Sequence, residues 1–308
     1  MHSIVPRHRP HIMFVDLRTK LTVACELREM IDTVSREAEN RVLPHMIPVL
    51  LEILRSGEPS FQKDSVEFQF RRTLLEIFHR IPFVEVVRPQ VLPLFHGLLY
   101  LLRHDNEEMG TTSCKMMIDL MRALRQFHEE VFSDFMAIFL QLVENLKSLL
   151  TEAFSEDSPE LDGTTSLPAI RSFKVLSEVN LLLVAFLQLN RNAVLPHLSS
   201  LIPRLLEYSE LQPPAQQKAR EDHEAMGGVW AGMSSTIKNV QLYTDYIVSQ
   251  VKVISSTLYL VRGIPEPYDA EGEKLALALL RLFQDCPAMA ISARKVRLFL
   301  HQFSPAAL

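Results

Sequence analysis

Hydrophobic positions along the chain repeat with a period of about 45 residues. Residues 42–54, V-L-P-H-M-I-P-V-L-L-E-I-L, recur from Val87 as V-R-P-Q-V-L-P-L-F-H-G-L-L and from Val131 as V-F-S-D-F-M-A-I-F-L-Q-L-V. These starts differ by 87 − 42 = 45 and 131 − 87 = 44 residues. A period of about 40 to 47 residues is typical of helical-hairpin repeats of the HEAT or armadillo kind. Apolar residues occupy equivalent positions in the three copies, and we call each such set a column. The columns are Met46/Val91/Phe135, Ile47/Leu92/Met136, Leu50/Phe95/Phe139 and Ile53/Leu98/Leu142.

A second amphipathic pattern alternates with the first and predicts the partner helix of each hairpin. Residues 17–34 place apolar side chains at helical spacing on one face. The same face reappears 47 residues later, and the first three positions of that second face reappear after another 44 residues. The three sets are Val23/Leu27/Met30/Ile31/Val34, Phe70/Leu74/Ile77/Phe78/Ile81 and Cys114/Ile118/Met121. Because proline is tolerated in the first turn of a helix, the early proline of the first two phrases predicts that each phrase opens a helix, although the third phrase has lost its prolines.

Polar turns separate the predicted helices. Residues 55–60, R-S-G-E-P-S, supply a glycine stop followed by proline, and His104 is followed by Asp105 and Asn106 as candidate caps. Residues 151–167 carry five acids and no base among breakers, which predicts a loop or a disordered insert. Residues 211–236 read as a polar loop.

Helical patterns continue to the end of the chain. Residues 169–190 form one predicted helix, in which 181–187 are apolar on all sides and are therefore expected to be buried on all sides. The opening phrase returns at 194–207, and further helices are predicted at 238–262, 273–284 and 293–303. The sequence predicts an all-α α-solenoid of HEAT-like hairpins, at least five of them, over 17–308, after a disordered or poorly defined start at 1–16. The array ends without a polar cap, which suggests a fragment or a truncated product.

Composition narrows the class of protein. The 308 residues are 47% hydrophobic with only nine glycines, which fits a folded helical chain. The net charge of −5 comes with dispersed lysine and arginine, so no basic footprint for nucleic acid is present. Cys25, Cys114 and Cys286 form no C-x-x-C pair, which favours a reducing compartment. No apolar run approaches the roughly 20 residues that span a bilayer.

The sequence offers no residue to which a catalytic, cofactor-binding or metal-ligating role is assigned. No metal-binding, nucleophile-elbow or phosphate-loop motif occurs. His45 and His197 share a repeat column and could suggest a paired site, but a solvent-facing position is favoured. The glycine-rich residues 227–232 follow no predicted strand and are interpreted as a turn. Cys114 lies on the apolar face of its helix and is interpreted as a core residue.

Charged clusters are the remaining surface features. Arg71, Arg72, His79, Arg80 and Arg88 could form a small basic patch along one hairpin, although a solvated outer face is the favoured interpretation. The acidic insert at 151–167 could mimic or attract a charged ligand, but such runs are more often solubilising.

Five segments resemble the amino-terminal helical repeats of the TRRAP family in the same order, from about residue 20 to residue 297. They are L-L-E-I-L-R-S-G-E-P-S-F at 50–61, F-R-R-T-L-L-E-I-F-H-R-I-P at 70–82, S-F-K-V-L-S-E-V at 172–179, L-Y-T-D-Y-I-V-S-Q-V-K-V-I-S-S-T-L-Y-L-V-R at 242–262 and Q-D-C-P-A at 284–288. The resemblance implies a very large scaffold of the phosphatidylinositol-kinase-related family whose kinase domain lacks catalytic residues. This chain carries no kinase-like domain.

The resemblance also implies a function. Its family members are nuclear, non-enzymatic subunits of SAGA-type and histone-H4-acetylating complexes that receive transcription activators. The expected partners are therefore acetyltransferase-complex subunits and activators, with no cofactor, nucleic acid, membrane or small-molecule substrate. The alternative is a HEAT or armadillo transport adaptor, which would carry asparagine ladders at fixed repeat positions. No such column is visible, and an enzyme is the third possibility.

Overall fold

The computed structural model describes residues 16–33, 35–82, 85–124, 129–154, 164–211, 240–262, 264 and 269–285. Within this part of the chain the regular secondary structure is helical. The β-type pairings there are two isolated bridges, Gln62 with Thr165 and Asn106 with Pro168. The all-α prediction is confirmed. The predicted start at 1–16 lies outside the described residues except for Asp16.

The α-helices follow one another in the order that the sequence pattern predicts. The first six are α1 Leu17–Ile31, α2 Arg36–Ser56, α3 Val66–Arg80, α4 Val91–His104, α5 Glu107–Leu124 and α6 Glu129–Glu144. The next six are α7 Leu146–Phe154, α8 Phe173–Leu189, α9 Arg191–Val194, α10 Leu198–Glu210, α11 Val240–Arg262 and α12 Asp269–Asp285. Short 3-10 helices span Glu85–Gln90, Ala169–Arg171 and Leu195–His197.

Serine and aspartate side chains begin several helices. Ser35, Ser65 and Ser172 accept a hydrogen bond from the backbone amide three residues later at the starts of α2, α3 and α8. Asp16 does the same for α1 by accepting from the Thr19 amide, and this bond lowers the pKa of the Asp16 carboxyl. A capping side chain satisfies an amide that has no intrahelical partner.

The helices stack in two layers, as expected for a solenoid. The first layer contains α2, α4, α6, α10 and α12, and the second contains α1, α3, α5, α8 and α11. Within each layer a helix packs against the next, and each hairpin joins the two layers, for example α4 with α5. One hydrophobic core runs between the layers. Four complete hairpins are described, and α12 begins a fifth whose continuation lies outside the described residues.

The prolines do not all open helices, so this part of the prediction is wrong for α2. That helix begins at Arg36, and Pro44 and Pro48 lie inside it. The prediction holds for the second phrase, where Pro89 lies in a 3-10 helix and Pro93 lies in the first turn of α4. An interior proline removes one helical hydrogen bond, but the apolar face of α2 is buried against its neighbours and offsets that loss.

Most residues of the repeat columns are buried, Phe70 and Leu92 of the second unit are partly buried, and the exposed column residues lie in the first unit. Leu50, Phe95 and Phe139 are all buried, as their shared column predicts. Ile53 is 37% exposed, however, whereas its counterparts Leu98 and Leu142 are buried. In α1, Val23 and Met30 are 57% and 56% exposed. The pattern thus identifies the apolar face, but a face is buried only where a neighbouring helix covers it.

The two ends of the predicted acidic insert are ordered. Residues 151–154 belong to α7, so the prediction of a loop is wrong there. Residues 164–167 are held by backbone hydrogen bonds, since the Ser166 amide donates to the Phe61 carbonyl at 2.7 Å and the Lys63 amide donates to the Thr164 carbonyl at 2.9 Å. Residues 155–163 and most of the polar loop at 211–236 lie outside the described residues.

Candidate interaction surface

Arg71 is not part of a basic patch, because it is buried at the junction of two hairpins. Its Nε donates to Asp105 Oδ2 at 3.0 Å, and its Nη2 pairs with the same carboxylate oxygen. Its Nη1 donates to the carbonyls of Leu54 and Gly57, each at 2.9 Å. Both side chains of the ion pair are almost fully buried, at 4% and 1% exposure. Arg71 therefore joins the end of α2 to the turn between α4 and α5.

The other members of the predicted patch are exposed, as expected, but each is paired. Arg72 contacts Glu76 and Glu108, Arg80 contacts Asp32 at 2.8 Å, and Arg88 contacts Glu85 at 2.6 Å. His79 lies 3.8 Å from Asp119. Since neighbouring carboxylates offset these charges, the hairpin presents no concentrated positive patch.

The Arg71 ion pair continues into the turn that follows α4. Asp105 Oδ1 accepts from the backbone amide of Asn106 at 2.8 Å. Asn106 Nδ2 donates to the Ser60 carbonyl, and Asn106 Oδ1 accepts from the Met109 amide at the start of α5. The prediction that Asn106 caps this helix is confirmed. We refer to Arg71, Asp105 and Asn106, with their partners, as the Arg71 network.

The segment 164–169 docks onto the Arg71 network. The Ala169 amide donates to the Asp105 carbonyl at 2.8 Å, and the Glu107 amide donates to the Leu167 carbonyl at 2.7 Å. Gly110 permits this approach, since a Cβ atom there would lie 2.6 Å from the Cβ of Ala169. The network thus links parts of the chain that are more than 100 residues apart in sequence, as in the bridge between Gln62 and Thr165.

A second polar contact joins α1 to α3. Arg28 Nη1 donates to Glu76 Oε2 at 2.7 Å, and Arg72 Nε donates to Glu76 Oε1 at 3.0 Å. Partial burial acts to raise the pKa of Glu76, but the two guanidinium groups together hold it below its ordinary value. The hydrogen bond to Glu76 in turn raises the pKa of Arg28. The pair is therefore charged near neutral pH.

A buried polar cluster lies among α8, α10 and α11. Asn180 Nδ2 donates to Tyr208 Oη at 2.7 Å and to Ser249 Oγ at 2.8 Å. Gln250 Nε2 donates to Tyr246 Oη at 2.7 Å. Burial raises the pKa values of Tyr208 and Tyr246, so both phenols stay protonated. Their hydroxyl groups join three helices within an otherwise apolar core.

The residues that the sequence offered as reactive are separated in the fold. His45 is exposed, as predicted. His197 is half-buried, and its ring packs edge to face with Phe132 at a centroid distance of 5.1 Å. The predicted solvent-facing position is therefore wrong for His197. Cys114 is fully buried, and burial raises the pKa of its thiol, which confirms a core position. Residues 227–232 lie outside the described residues. No cluster of metal-ligating side chains occurs in the described ranges.

A concave feature runs along α8, on the surface of the second layer. One part, of about 590 Å³, lies between α5 and α8 and reaches His79 and Lys252. A second part, of about 430 Å³, lies between α8 and α11, and Gln188 lines both. We call this feature the α8 groove. Its apolar lining includes Leu181, Val184 and Leu189.

The sequence pattern did not identify the α8 groove. Leu181 and Val184 fall within the run 181–187 that was predicted to be buried on all sides, yet both are only partly buried. Lys115, Arg122 and Lys252 line the groove from α5 and α11 but lie far apart in sequence. Each of these residues occupies a polar position in its own helical pattern, which predicts that it is exposed. The patterns do not show that the residues line the same groove.

No single helix in the described part of the chain is both long enough and apolar enough to span a membrane. The pair Phe173–Leu189 and Arg191–Glu210 passes this test by combined length and composition, but it is bent by 112°.

Comparison with known proteins finds similar sequences over most of the chain. No protein-family model matches the chain. It is 26% identical over 91% of its length to the SAGA complex/NuA4 acetyltransferase complex subunit TRA1 of Saccharomyces cerevisiae. It is 25% identical over 90% to transcription-associated protein 1 of Drosophila melanogaster, and 23% identical over 90% to the transformation/transcription domain-associated protein of Homo sapiens. Over about nine-tenths of its length the chain is similar to these members of the TRRAP family.

The chain spans 8–9% of the length of these TRRAP-family relatives. The segments that resemble the family in sequence contain much of the buried polar chemistry described above. Arg71, Leu54 and Ser60 of the Arg71 network lie in two of them, and Tyr246 and Gln250 of the polar cluster lie in another. The resemblance therefore coincides with residues that hold the solenoid together.

Proposed function

We propose that this TRRAP-family chain is a non-catalytic scaffold segment that acts in the nucleus within histone acetyltransferase complexes of the SAGA and histone-H4-acetylating types. The observation that carries the proposal is similarity over about nine-tenths of the chain to relatives from yeasts, fly and human, of which the two yeast proteins are named as SAGA/NuA4 subunits. In this proposal its partners are other subunits of those complexes and transcription activators. It needs no cofactor, nucleic acid, membrane or small-molecule substrate.

The architecture supports a binding role. A two-layer helical solenoid exposes one side of each helix, so a long series of side chains is available to partners. Such surfaces bind through contacts that are distributed over many residues. The paired surface charges and the separated histidine and cysteine side chains of the described residues fit a scaffold better than a reaction centre.

Affinity purification from nuclear extract of the organism that produces the protein tests the proposal. The protein is tagged at its native locus, and the eluate is assayed for acetylation of histones H3 and H4. We expect acetyltransferase subunits and activity to co-purify in proportion to the bait. An eluate that contains transport receptors and lacks acetyltransferase activity would contradict the proposal and support the transport-adaptor alternative.

A further inference from the structure

We propose that the outer face of α1 and α2 binds the same face of a second copy of this chain, with each α2 antiparallel to its counterpart. This outer face consists of Val23 and Met30 of α1 with Val42, Val49 and Ile53 of α2, whose exposed fractions lie between 37% and 58%. The inference goes beyond the proposed function and does not depend on it. It rests on the place of this face in the repeat, the spacing of its apolar residues and the charges beside them.

The outer face contains a repeat position that is covered in the later units. Ile53 of α2 shares a column with Leu98 of α4 and Leu142 of α6. Leu98 and Leu142 are buried, and each lies on a helix that packs against the preceding helix of its layer. Beyond α2 the described residues supply no such helix, and Ile53 is exposed. The outer face therefore has the apolar character of a surface that another helical hairpin covers.

The apolar residues of α2 are spaced for pairing with another helix. Successive intervals of 4, 3 and 4 residues separate Val42, Met46, Val49 and Ile53. This spacing is typical of the seam between two helices that pack at a shallow angle. Met46 is partly buried, and the other three side chains are exposed. Antiparallel pairing places Val42 opposite Ile53 of the second copy, and it then places Met46 opposite Val49, so the apolar seam is continuous.

The charges beside this seam favour a second copy in the antiparallel arrangement. At about 3.6 residues per turn, Arg41, His45 and Glu52 lie along one edge of the seam, and all three are exposed. In the antiparallel register, Glu52 of one copy lies within two residues of the level of Arg41 and His45 of the other. A two-fold axis repeats each of these contacts, so the face supplies both the acids and the cations that its own copy requires. In a parallel pair, Arg41 would face Arg41 and Glu52 would face Glu52, which is unfavourable.

The size of the outer face fits a reversible contact. The helices α1 and α2 contain 15 and 21 residues, so at about 1.5 Å per residue they are roughly 22 and 31 Å long. Two such helices of about 10 Å diameter, side by side, present roughly 500 Å² in each copy and about 1,000 Å² in total. Stable complexes bury about 1,200–2,000 Å². We therefore expect a dimer that forms and dissociates with protein concentration.

Sedimentation velocity of the full chain over a range of concentrations tests the dimer. We expect a monomer at low concentration and a dimer, with no larger species, at high concentration. Val49→Glu/Ile53→Glu should abolish the dimer, because it would place unpaired charges in the apolar seam. The matched control is Leu189→Glu/Tyr259→Glu, which makes the same change in charge at exposed apolar residues of α8 and α11 and should dimerise as the unchanged chain does. Circular dichroism checks that each variant retains its helices.

Charge reversal tests the antiparallel register. Arg41→Glu should raise the dissociation constant of the dimer by about tenfold, and Glu52→Arg should do the same, because each change brings like charges together at two symmetric places. The combined variant Arg41→Glu/Glu52→Arg should restore dimerisation, because it exchanges the two members of each pair. A combined variant that dimerises no better than the single variants overturns the antiparallel pairing.

Hydrogen exchange locates the contact. At concentrations at which the chain is a monomer, the amides of α1 should be the least protected of the array. Dimerisation should raise the protection of amides in α1 and α2 and leave those of α8 unchanged. A chain that stays monomeric at every concentration would show that a second copy does not cover this face, and it overturns the inference. Assemblies larger than a dimer, equal loss of the dimer in the control variant, or unchanged protection of α1 and α2 in the dimer overturn it as well.

Discussion

At the scale of single residues, Arg71 differs from every other arginine of its hairpin because its whole guanidinium group is buried. It lies on the same stripe of α3 as Phe68, Leu75 and Phe78, which are also buried. An arginine on an apolar stripe needs a buried acceptor, and Asp105 supplies one from 34 residues away. Removal of one partner of a buried ion pair leaves the other uncompensated.

Arg71→Met should therefore lower the free energy of unfolding by about 3–5 kcal/mol, because Asp105 would be left charged and buried. Arg71→Lys should recover only part of this loss, since one ammonium cannot replace the donors of a planar guanidinium. Urea unfolding followed by circular dichroism measures both variants. Arg88→Met is the control, and removal of its exposed pair with Glu85 should cost about 0–1 kcal/mol. Equal costs for Arg71→Met and Arg88→Met would contradict the role of the Arg71 network.

Leu50 and His45 test the assignment of faces on α2. Leu50 is buried, whereas His45 is exposed one turn earlier. Leu50→Ala should lower the free energy of unfolding by about 2–5 kcal/mol, because apolar burial is lost and a cavity remains. His45→Ala should change stability by no more than about 0.5 kcal/mol. Urea melts of the two variants would contradict the assigned faces if the two costs were alike.

At the scale of elements, the position of segment 164–169 depends on a close approach between this segment and α5. It contacts α5 where Gly110 leaves room for Ala169. Its backbone bonds to Phe61, and to Asp105 and Glu107, join it to two different parts of the chain, the segment before α3 and the turn between α4 and α5. Its stability is therefore coupled to that of the α3 and α5 turns.

Gly110→Ala should loosen this segment. The clash with Ala169 costs about 1–3 kcal/mol, which exceeds the gain of about 0.8–1 kcal/mol in helix propensity. Hydrogen exchange should therefore become faster at the amides of Ser166 and Ala169. Ala123→Ser also adds one heavy atom to α5, but at an exposed position, and should leave these amides unchanged. Unaltered protection in Gly110→Ala would mean that the segment can shift without losing its hydrogen bonds.

At the scale of the whole molecule, the outer face of α1 and α2 is not covered by any other described helix. Five of the large exposed apolar side chains, Val23, Met30, Val42, Val49 and Ile53, lie on α1 and α2. Each later helix of both layers, up to α8 and α10, packs against a helix on either side within its layer. In a repeat array the stability of a unit depends on its neighbours.

Native-state hydrogen exchange should therefore show protection that rises from α1 towards α5 and α8. The amides of α1 open with the smallest free energy because that helix has a layer neighbour, α3, on one side only. The helix pair α5 and α8, which has neighbours on both sides, serves as the internal reference. Protection in α1 equal to that in α8 would show that the outer face of the first unit is covered in solution.

The sequence by itself determined the helical fold, its period and its apolar columns, because these depend on local spacing. The recurrence from Val42 to Val87 to Val131 placed Leu50, Phe95 and Phe139 in one buried column, and the structure confirms it. The same reasoning correctly placed Cys114 in the core and Asn106 at a helix start. These features follow from a residue's position on its own helix.

Only the tertiary structure decided which faces are covered and which charged groups meet. Met30 and Ile77 share a column, yet Met30 is exposed because no described helix packs beyond α1, whereas Ile77 is buried in a helix that has α1 and α5 on either side. Arg71 and Arg72 are adjacent in sequence, yet Arg71 turns inward to Asp105 while Arg72 meets Glu76 and Glu108 at the surface. The α8 groove likewise depends on how α5, α8 and α11 lie side by side. Contacts between residues far apart in sequence depend on how the helices pack, and no local pattern of hydrophobic and polar residues contains that information.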